Sequence, residues 1–368
     1  MVQLGVYLMD RVYNFSAGPS VLPLPVLEQA AAEMVNYRGC GMSVMEMSHR
    51  SAMYLEIFNE AKSDLKRLLG VPDTHEVLFM HGGAVNQFSA VPLNLIGRTG
   101  KADYAITGNF SSVAMKEAGK YGAISIPCSS EDRNHTYIPA QEDITVSEDA
   151  SYFHYCCNNT VFGTEWKYTP DAAGLPLVCD MSSNIMSKPL DVAKYGLIYA
   201  GVQKNLAPAG MAVVIIDRSL PLTPHPLTPE LMKYQVMIDA DSMLNTPACY
   251  TIYMLGLVLK WVEKQGGVEA MAQLKAERSK LLYDVLDDSG MFSGHAEKSS
   301  RSDMNVTFRS KSKEMDEVFI KEAQAAGFEN LKGHRATGGM RASIYNAMPI
   351  EGVRKLAMFM RDFEVRHK

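Results

Sequence analysis

The sequence predicts an α/β fold, with a large domain around a mainly parallel sheet and a smaller α+β domain after it. Between residues 76 and 217, short apolar segments of strand type alternate with helical segments. This order is typical of a parallel sheet covered by helices on both faces. A second group of strands and helices follows Gly266 and Gly267. We therefore expect an N-terminal segment over 1–21 that packs with the small domain, a large domain over 22–266, and a small C-terminal domain over 267–368.

The first predicted elements are two helices. Two prolines precede a helix predicted over residues 27–34, because proline is favoured at helix starts. Ser51 is the predicted N-cap of the next helix, whose apolar positions between residues 54 and 69 recur at helical spacing. Gly70 is expected to end this helix.

Seven short apolar runs predict the strands of the large sheet. They cover residues 76–80, 102–107, 123–126, 152–156, 176–180, 197–201 and 211–217. Helices are predicted over 84–96 and 110–121, between the first three strands. The polar stretch up to residue 149 has no predicted role, and the proline-rich stretch 221–229 is predicted to be a loop.

The remainder of the chain predicts longer helices and a second set of strands. Two long helices are expected over residues 250–264 and 268–286. The small domain is then expected to contain strands over 304–308 and 340–345, with helices over 313–326 and 350–363.

Composition and charge exclude several classes of protein. The net charge of −5 argues against general binding to nucleic acids or membrane surfaces, which show a basic surplus. No apolar run approaches the ~18 residues of a membrane-spanning helix, and the N-terminus lacks the pattern of a secretory signal. The six cysteines form no C-x-x-C pair and no spacing typical of zinc sites. We therefore expect a soluble cytoplasmic protein with free thiols and no metal site.

Lys204 is the first candidate for chemistry. It lies among glycine, alanine, proline and leucine residues, between the strands predicted over 197–201 and 211–217. Such a lysine is either a solvated loop residue or an amine whose charge is destabilised by its surroundings. The second kind is a nucleophile that forms Schiff bases. This stretch alone leaves both interpretations open.

Asp180 is a second candidate, because it ends an otherwise apolar strand. Ligands of α/β sheets bind at the carboxyl ends of parallel strands, although a helix cap is an equally ordinary role for this carboxylate. Lys204 follows another strand of the same predicted sheet. A carboxylate facing a ring nitrogen and a lysine facing an aldehyde are the pair that pyridoxal phosphate requires.

A glycine turn and an aromatic residue add to this pair. Gly82 and Gly83 join a strand to a helix, a geometry that presents backbone N–H groups to a phosphate. The turn matches neither the dinucleotide-binding motif nor the P-loop, and a plain tight turn is the alternative. Phe110 follows a strand and either stacks on a planar ring or packs in the core.

Three arginine contexts suggest an anionic substrate: His49-Arg50, His334-Arg335 and Arg341. Guanidinium groups bind carboxylate and phosphate through two hydrogen bonds, so a cluster suits a small substrate with several negative charges. Taken one at a time, each arginine is also compatible with a surface ion pair.

Together these motifs resemble the phosphoserine aminotransferase family, which are pyridoxal-phosphate enzymes of the class V aminotransferases with the fold type I architecture. The resemblance runs from residue 14 to the last helix. Its most specific strings are Tyr-Ala-Gly-Val-Gln-Lys-Asn at 199–205, and Gly-His-Arg at 333–335 with Gly-Gly-Met-Arg-Ala-Ser at 338–343. Class V relatives share the lysine but not these arginine contexts.

The resemblance implies a role for each matching position. Lys204 is expected to hold pyridoxal 5′-phosphate as a covalent internal aldimine and to move the proton during catalysis, while Asp180 pairs with the protonated ring nitrogen. Further cofactor contacts are implied for Ala84, Val85, Phe110, Thr160, Gln203, Asn245 and Thr246, the last two reaching from the neighbouring subunit. Substrate binding is implied for His49, Arg50, His334, Arg335 and Arg341.

The resemblance also implies a reaction and an assembly. The reaction is reversible transfer of the amino group from L-glutamate to 3-phosphohydroxypyruvate, which gives O-phospho-L-serine and 2-oxoglutarate in serine biosynthesis. The assembly is a homodimer with active sites shared between the subunits. Three positions depart from the family: Phe110 where tryptophan is frequent, Val85 where some members carry arginine, and Ala17 where some carry serine. Only the backbone N–H of Val85 can therefore serve the cofactor.

Three other functions remain open at this point. Another class V transamination, such as alanine–glyoxylate or serine–pyruvate, acts on substrates without a phosphate and has less need of cationic groups. A non-catalytic cofactor-binding protein is a second alternative. A cysteine-based sulfur transfer is the third, and it requires an exposed activated thiol, whereas Cys156 and Cys157 lie in an apolar strand context.

Overall fold

The structure is a computed structural model that describes residues 11–368. The first ten residues of the predicted N-terminal segment lie outside the described residues. Within residues 11–368, no helix is both long enough and apolar enough to cross a membrane.

The strands form a large central sheet, a small second sheet and two short pairings. In chain order they are β1 (Tyr13–Asn14), β2 (His75–His81), β3 (Lys101–Tyr104), β4 (Ala123–Ser125), β5 (Phe153–Cys156), β6 (Asn158–Asn159), β7 (Thr164–Glu165), β8 (Leu177–Asp180), β9 (Leu197–Gly201), β10 (Met211–Asp217), β11 (Ser293–Gly294), β12 (Asn305–Arg309), β13 (Phe328–Glu329) and β14 (Met340–Ser343).

The α-helices cover both faces of the central sheet and one side of the second sheet. They are α1 (Leu24–Glu33), α2 (Ala52–Leu69), α3 (Gly83–Leu95), α4 (Asn109–Ala118), α5 (Tyr234–Asp239), α6 (Cys249–Lys264), α7 (Gly267–Asp288), α8 (Lys313–Ala325) and α9 (Ile350–Arg366).

The seven strands predicted for the large domain lie in one sheet, in the order β2-β10-β9-β8-β5-β3-β4. From β9 to β4 all neighbours pair in parallel, whereas β10 is antiparallel to both β2 and β9. The segment 202–210 between β9 and β10 is too short for a parallel crossover, so the chain must reverse there. The predicted α/β class with a mainly parallel sheet is confirmed.

Two hydrophobic cores sandwich this sheet. On one face, alternate strand residues such as Tyr155 and Cys179 pack under α2 and α6. On the other face, residues such as Tyr199 and Val178 pack under α3 and α4. Residues of parallel strands buried on both faces are apolar almost throughout, which is why short apolar runs were sufficient to predict them.

A third core surrounds the small sheet of β11, β12 and β14, which is covered by α7, α8 and α9. β1 pairs in parallel with β13, and Phe15 is buried in this same core. α7 contributes to two cores, because Met271 packs against the large sheet and Leu282 against the small one. The division at residue 266 stays a prediction.

Buried polar groups connect the region around the central sheet with the region around the small sheet. Glu165 at the end of β7 is fully buried and lies 3.4 Å from the Lys188 ammonium and 3.5 Å from that of Lys275 in α7. Burial raises the pKa of this carboxyl, but the surrounding lysines outweigh burial and lower the pKa to about 2. Asn205 Oδ1 accepts a hydrogen bond of 3.1 Å from the Asn346 backbone N–H. The segment that carries Lys204 is thereby attached to the small sheet.

The structure differs from the sequence prediction mainly in short elements. α1 begins at Leu24, three residues earlier than expected, because proline is tolerated in a first helical turn. The strand predicted over 102–107 ends at Tyr104. The five two-residue strands and α5 were not predicted, since elements this short produce no periodic pattern.

Candidate active site

The candidate site is a cavity of about 400 Å³ at the carboxyl ends of the central strands. Its walls come from the ends of β5, β8 and β9, from the starts of α3 and α4, and from the segment before α1. Asp180 is the last residue of β8, and Lys204 follows β9 by three residues. The parallel arrangement of these strands brings the two groups to the same edge of the sheet.

Lys204 is an amine whose charge is opposed by its surroundings. Burial lowers its pKa to about 8, with Asp180 opposing this shift and the Arg341 guanidinium adding to it. The ammonium donates a hydrogen bond of 2.8 Å to Thr160 Oγ1 and lies 5.2 Å from the centroid of the Phe110 ring. A lysine with a lowered pKa is partly neutral near physiological pH, and the neutral form is the nucleophile.

Asp180 lies on the floor of the cavity and is 7% exposed. Burial raises the pKa of this carboxyl, while Lys204, the Ser182 backbone N–H and the Tyr199 hydroxyl oppose that shift. The Ser182 N–H donates to Asp180 Oδ1 at 2.8 Å. The hydrogen-bond donors and the nearby cation therefore limit the rise in pKa that burial causes.

The glycine turn forms the opposite wall of the cavity. Gly82 and Gly83 have φ values of 90° and 65°, which residues with a Cβ rarely adopt. They allow α3 to begin at the cavity, where the first backbone N–H groups of a helix have no partner within the helix. Ala84 and Val85 provide these groups, and the 63% exposed Val85 side chain lies at the cavity mouth. Such a helix start is suited to a phosphate.

Gln203 is brought to the same helix start by a close approach of the backbone. A Cβ at Gly201 would lie 2.8 Å from Gln203 Oε1 and 3.2 Å from the Ala84 backbone nitrogen. Only glycine leaves room for β9, the Gln203 side chain and the start of α3 to meet here. The Gln203 amide is thus placed beside the helix N-terminus.

The predicted substrate-binding groups Arg341, His334 and Arg335 do not line the cavity itself, but the Arg341 guanidinium is near enough to lower the pKa of Lys204. Arg341 in β14 has a buried Nε without a hydrogen-bond partner in the described part of the chain. Burial, together with the charges of Arg341 and Arg335, lowers the pKa of His334. These three side chains are close enough to repel one another, and an anion among them would relieve both the repulsion and the unpaired Nε.

Four predicted site residues lie elsewhere in this chain. His49 and the exposed Arg50 precede α2, and Asn245 and Thr246 are exposed before α6. None of them lines the cavity of its own chain. The Thr246 carbonyl lies 3.1 Å from the His81 ring at the end of β2, which is near the cavity mouth.

Some residues of the site escaped the sequence prediction. Asn158, Ser182 and Ser183 line the cavity, and Tyr199 contacts Asp180 from beneath. The two serines lie two and three residues after Asp180, so their position after a site strand was a usable signal. Tyr199 could be assigned only from the strand register, which places it opposite Asp180.

Comparison with known proteins identifies the family of this architecture. The family "Aminotransferase class-V" matches residues 12–356. A phosphoserine aminotransferase of Nitrosomonas europaea is 49% identical over 98% of this chain and 100% of its own. The chain belongs to the phosphoserine aminotransferases of class V.

Solved phosphoserine aminotransferases share the fold over nearly the whole chain. The enzyme of Bacillus circulans subsp. alkalophilus has a TM-score of 0.95 and 44% identity, and the match covers 98% of this chain and 100% of that one. A pyridoxal-phosphate-bound enzyme of Trichomonas vaginalis has a TM-score of 0.92 and 39% identity, with coverage of 95% and 100%. The family and the fold class predicted from the sequence are confirmed.

The lowered pKa of Lys204 predicts an unusual pH dependence of its reactivity. In the cofactor-free protein, the amine should become neutral as the pH rises through about 8. The rate of covalent reaction with added pyridoxal phosphate, followed by stopped-flow absorbance, should rise with pH and level off above that value. The Arg341→Leu variant removes a cation that lowers this pKa, so its midpoint should move to higher pH. A wild-type rate that keeps rising as for an ordinary lysine, up to pH 10, would contradict this account.

Proposed function

We propose that this chain catalyses the reversible transfer of the amino group of L-glutamate to 3-phosphohydroxypyruvate, giving O-phospho-L-serine and 2-oxoglutarate for serine biosynthesis. The observation that carries the proposal is the meeting of Lys204, Asp180 and the start of α3 in one cavity, with the Arg341 guanidinium near enough to lower the pKa of Lys204. The family of the chain supports the same reaction.

The residues of the cavity fit pyridoxal 5′-phosphate, since they offer an amine with a lowered pKa, a buried carboxylate and a helix start without a capping side chain. When bound, this cofactor supplies an electron sink for the α-carbon of an amino acid. We propose that Lys204 Nζ holds it covalently and that Asp180 holds the proton on its ring nitrogen.

The remaining contacts fix the position of the cofactor. The backbone N–H groups of Ala84 and Val85, with the Gln203 amide, would bind the phosphate through the helix start. The Phe110 ring would cover one face of the pyridine ring. Thr160 Oγ1, which now accepts from Lys204, would hydrogen-bond the cofactor.

Lys204 is also the group that would move the proton from the substrate α-carbon during the transfer. Its lowered pKa matches this task, because a base works best when its pKa is near the working pH. Arg50, His334, Arg335 and Arg341, together with His49, would bind the carboxylate and phosphate of the substrate. Bidentate pairing of guanidinium groups with both anions would orient the reacting carbon.

The reaction is tested by comparing two acceptors. With glutamate as donor, the kcat/KM for 3-phosphohydroxypyruvate should be at least ~100-fold higher than that for hydroxypyruvate. Hydroxypyruvate has no phosphate, so the arginines that would bind this group stay unpaired in its complex. Initial rates should follow ping-pong kinetics, as expected for two half-reactions. Equal rates with both acceptors would favour another class V transamination instead.

The same assay separates an enzyme from a non-catalytic cofactor-binding protein. The visible absorbance of the wild-type protein should change when glutamate alone is added. Lys204→Ala should abolish turnover with both acceptors, while its circular dichroism stays that of the wild type. A Lys204→Ala variant with normal turnover would refute the assignment of the lysine.

We further propose a homodimer in which each active site takes residues from both subunits. Arg50, Asn245 and Thr246 lie outside their own cavity and are exposed. Exposed apolar side chains, among them Val35 and Met45 with 78% and 58% exposure, lie in the same part of the chain as Arg50. Apolar surface of this kind is typical of a subunit interface. Cytoplasmic localisation is part of the proposal and is supported by the six free cysteines.

Shared sites predict complementation between two inactive variants. Lys204→Ala and Arg50→Ala should each be inactive or nearly so as homodimers. If Arg50 serves the neighbouring subunit, half of a randomly mixed population are heterodimers with one intact site, so activity should recover to about a quarter of the wild-type value. Sedimentation should show a dimer before and after mixing. Absence of recovery in a verified heterodimer would place Arg50 in the site of its own subunit.

A further inference from the structure

A row of buried polar side chains runs beneath the cavity, on the face of the sheet covered by α3. Tyr199 in β9 lies opposite Asp180 in β8, and Asp180 lies opposite Cys156 in β5. His154 is two residues before Cys156, so its side chain is on the same face of the sheet. Tyr199, Asp180 and His154 therefore lie on one face of three adjacent strands, β9, β8 and β5, with Asp180 on the middle strand.

Tyr199 is the side chain that adjoins both of the others. Its hydroxyl lies 2.9 Å from His154 Nε2, and the strand register places Tyr199 beside Asp180, whose pKa the hydroxyl lowers. Tyr199 and His154 are 0% and 1% exposed, and neither lines the cavity. Any effect of these two side chains on the site is therefore transmitted through Asp180.

The direction of each hydrogen bond follows from the chemistry of the three groups. An ionised carboxylate only accepts, so the Tyr199 O–H must donate to Asp180. The phenol oxygen is then free to accept, and His154 must donate to it from Nε2. Burial lowers the pKa of His154 to about 3, so the imidazole is neutral and carries a single N–H.

The surroundings of His154 agree with this tautomer. Nδ1 is buried and has no hydrogen-bond partner among residues 11–368, which is less costly for a bare ring nitrogen against aromatic rings than for an N–H. The Tyr104 ring stacks on the imidazole, with centroids 4.5 Å apart and planes at 25°. The opposite tautomer would make Tyr199 donate to His154, and Asp180 would then lose Tyr199 as a donor and keep the Ser182 N–H.

We propose that Tyr199 and His154 are positioning residues for Asp180: His154 orients the Tyr199 hydroxyl, whose proton keeps the carboxylate ionised and fixed where the cofactor ring nitrogen binds. This inference rests on the proposed function for the identity of the ring. Beyond the proposed function, we thus assign a role to two residues, Tyr199 and the buried His154, that do not line the cavity.

The test compares three substitutions with a matched control. Tyr199→Phe removes the donor to Asp180, His154→Leu removes the group that orients it, and His154→Gln retains an amide N–H near the position of Nε2. Tyr152→Phe is the control, because the buried Tyr152 hydroxyl bonds the Tyr104 hydroxyl at 2.7 Å, on the same face of the sheet. Thermal unfolding of all variants measures the purely structural cost.

Two readouts report on Asp180 directly. One is the dissociation constant of pyridoxal phosphate, titrated into cofactor-free protein. The other is the pH titration of the visible absorbance of the bound cofactor. Tyr199→Phe and His154→Leu should weaken cofactor binding roughly tenfold or more, the effect of a lost hydrogen bond to a charged group, and should shift the spectral midpoint. His154→Gln should recover most of the loss, and Tyr152→Phe should stay within about twofold of the wild type.

Equal effects in all four variants, or a lower unfolding temperature with unchanged binding and spectrum, would overturn the inference. Nitrogen-15 chemical shifts of histidine in the wild-type protein provide a test that needs no variant. The proton of His154 should be on Nε2, and a proton on Nδ1 would equally overturn the inference. If the wild type fails to use 3-phosphohydroxypyruvate while these effects appear, the proposed reaction is wrong and the positioning role remains.

Discussion

The burial of two opposite charges in one cavity is the constraint on which the rest of this structure depends. Lys204 and Asp180 are both desolvated, and each partly offsets the cost of the other. Asp180 is buried and Lys204 is half-buried, and such charged groups are rarely withdrawn from water unless their surroundings compensate for it. Thr160 and Ser182 supply this compensation with hydrogen bonds, and the Tyr199 hydroxyl beside Asp180 lowers the pKa of that carboxyl. The cavity floor is therefore a fixed polar layer within an otherwise apolar sheet.

The strand pairing of the central sheet fixes where Lys204 and Asp180 lie relative to each other. Parallel strands end at one edge, so residues that are distant in sequence meet there. The chain reversal between β9 and β10 confines Lys204 to a short segment, and Asn205 attaches this segment to the backbone of Asn346. Arg341 lies on β14, shortly before Asn346 in the chain. The hydrogen bond between Asn205 and Asn346 therefore also positions Arg341 relative to Lys204.

Much of the fold was predictable from the sequence, because the central strands are buried on both faces and read as continuous apolar runs. What the pattern could not provide was strand direction and pairing. β10 is apolar like its neighbours, and only the short segment before it indicates that it runs antiparallel. The two-residue strands, such as β1 beside β13, carry no periodic signal at all.

Some residues of the candidate site could be predicted from the sequence, and others could not. Lys204, Asp180 and the turn at Gly82 stood out because each interrupts an apolar context, and the cavity contains all three. Tyr199 and His154 did not stand out, since aromatic residues in strands are ordinary core residues. Arg50 was predicted from its context, but one chain cannot place it against the site of a neighbour.

The attachment point of the cofactor tests the central claim most directly. The protein loaded with pyridoxal phosphate is reduced with borohydride, digested, and mapped by mass spectrometry. Our account predicts a pyridoxyl group on the peptide that contains Lys204, close to one per chain, and none in the Lys204→Ala variant. A label on another lysine, such as Lys188, or one spread over several lysines would contradict it.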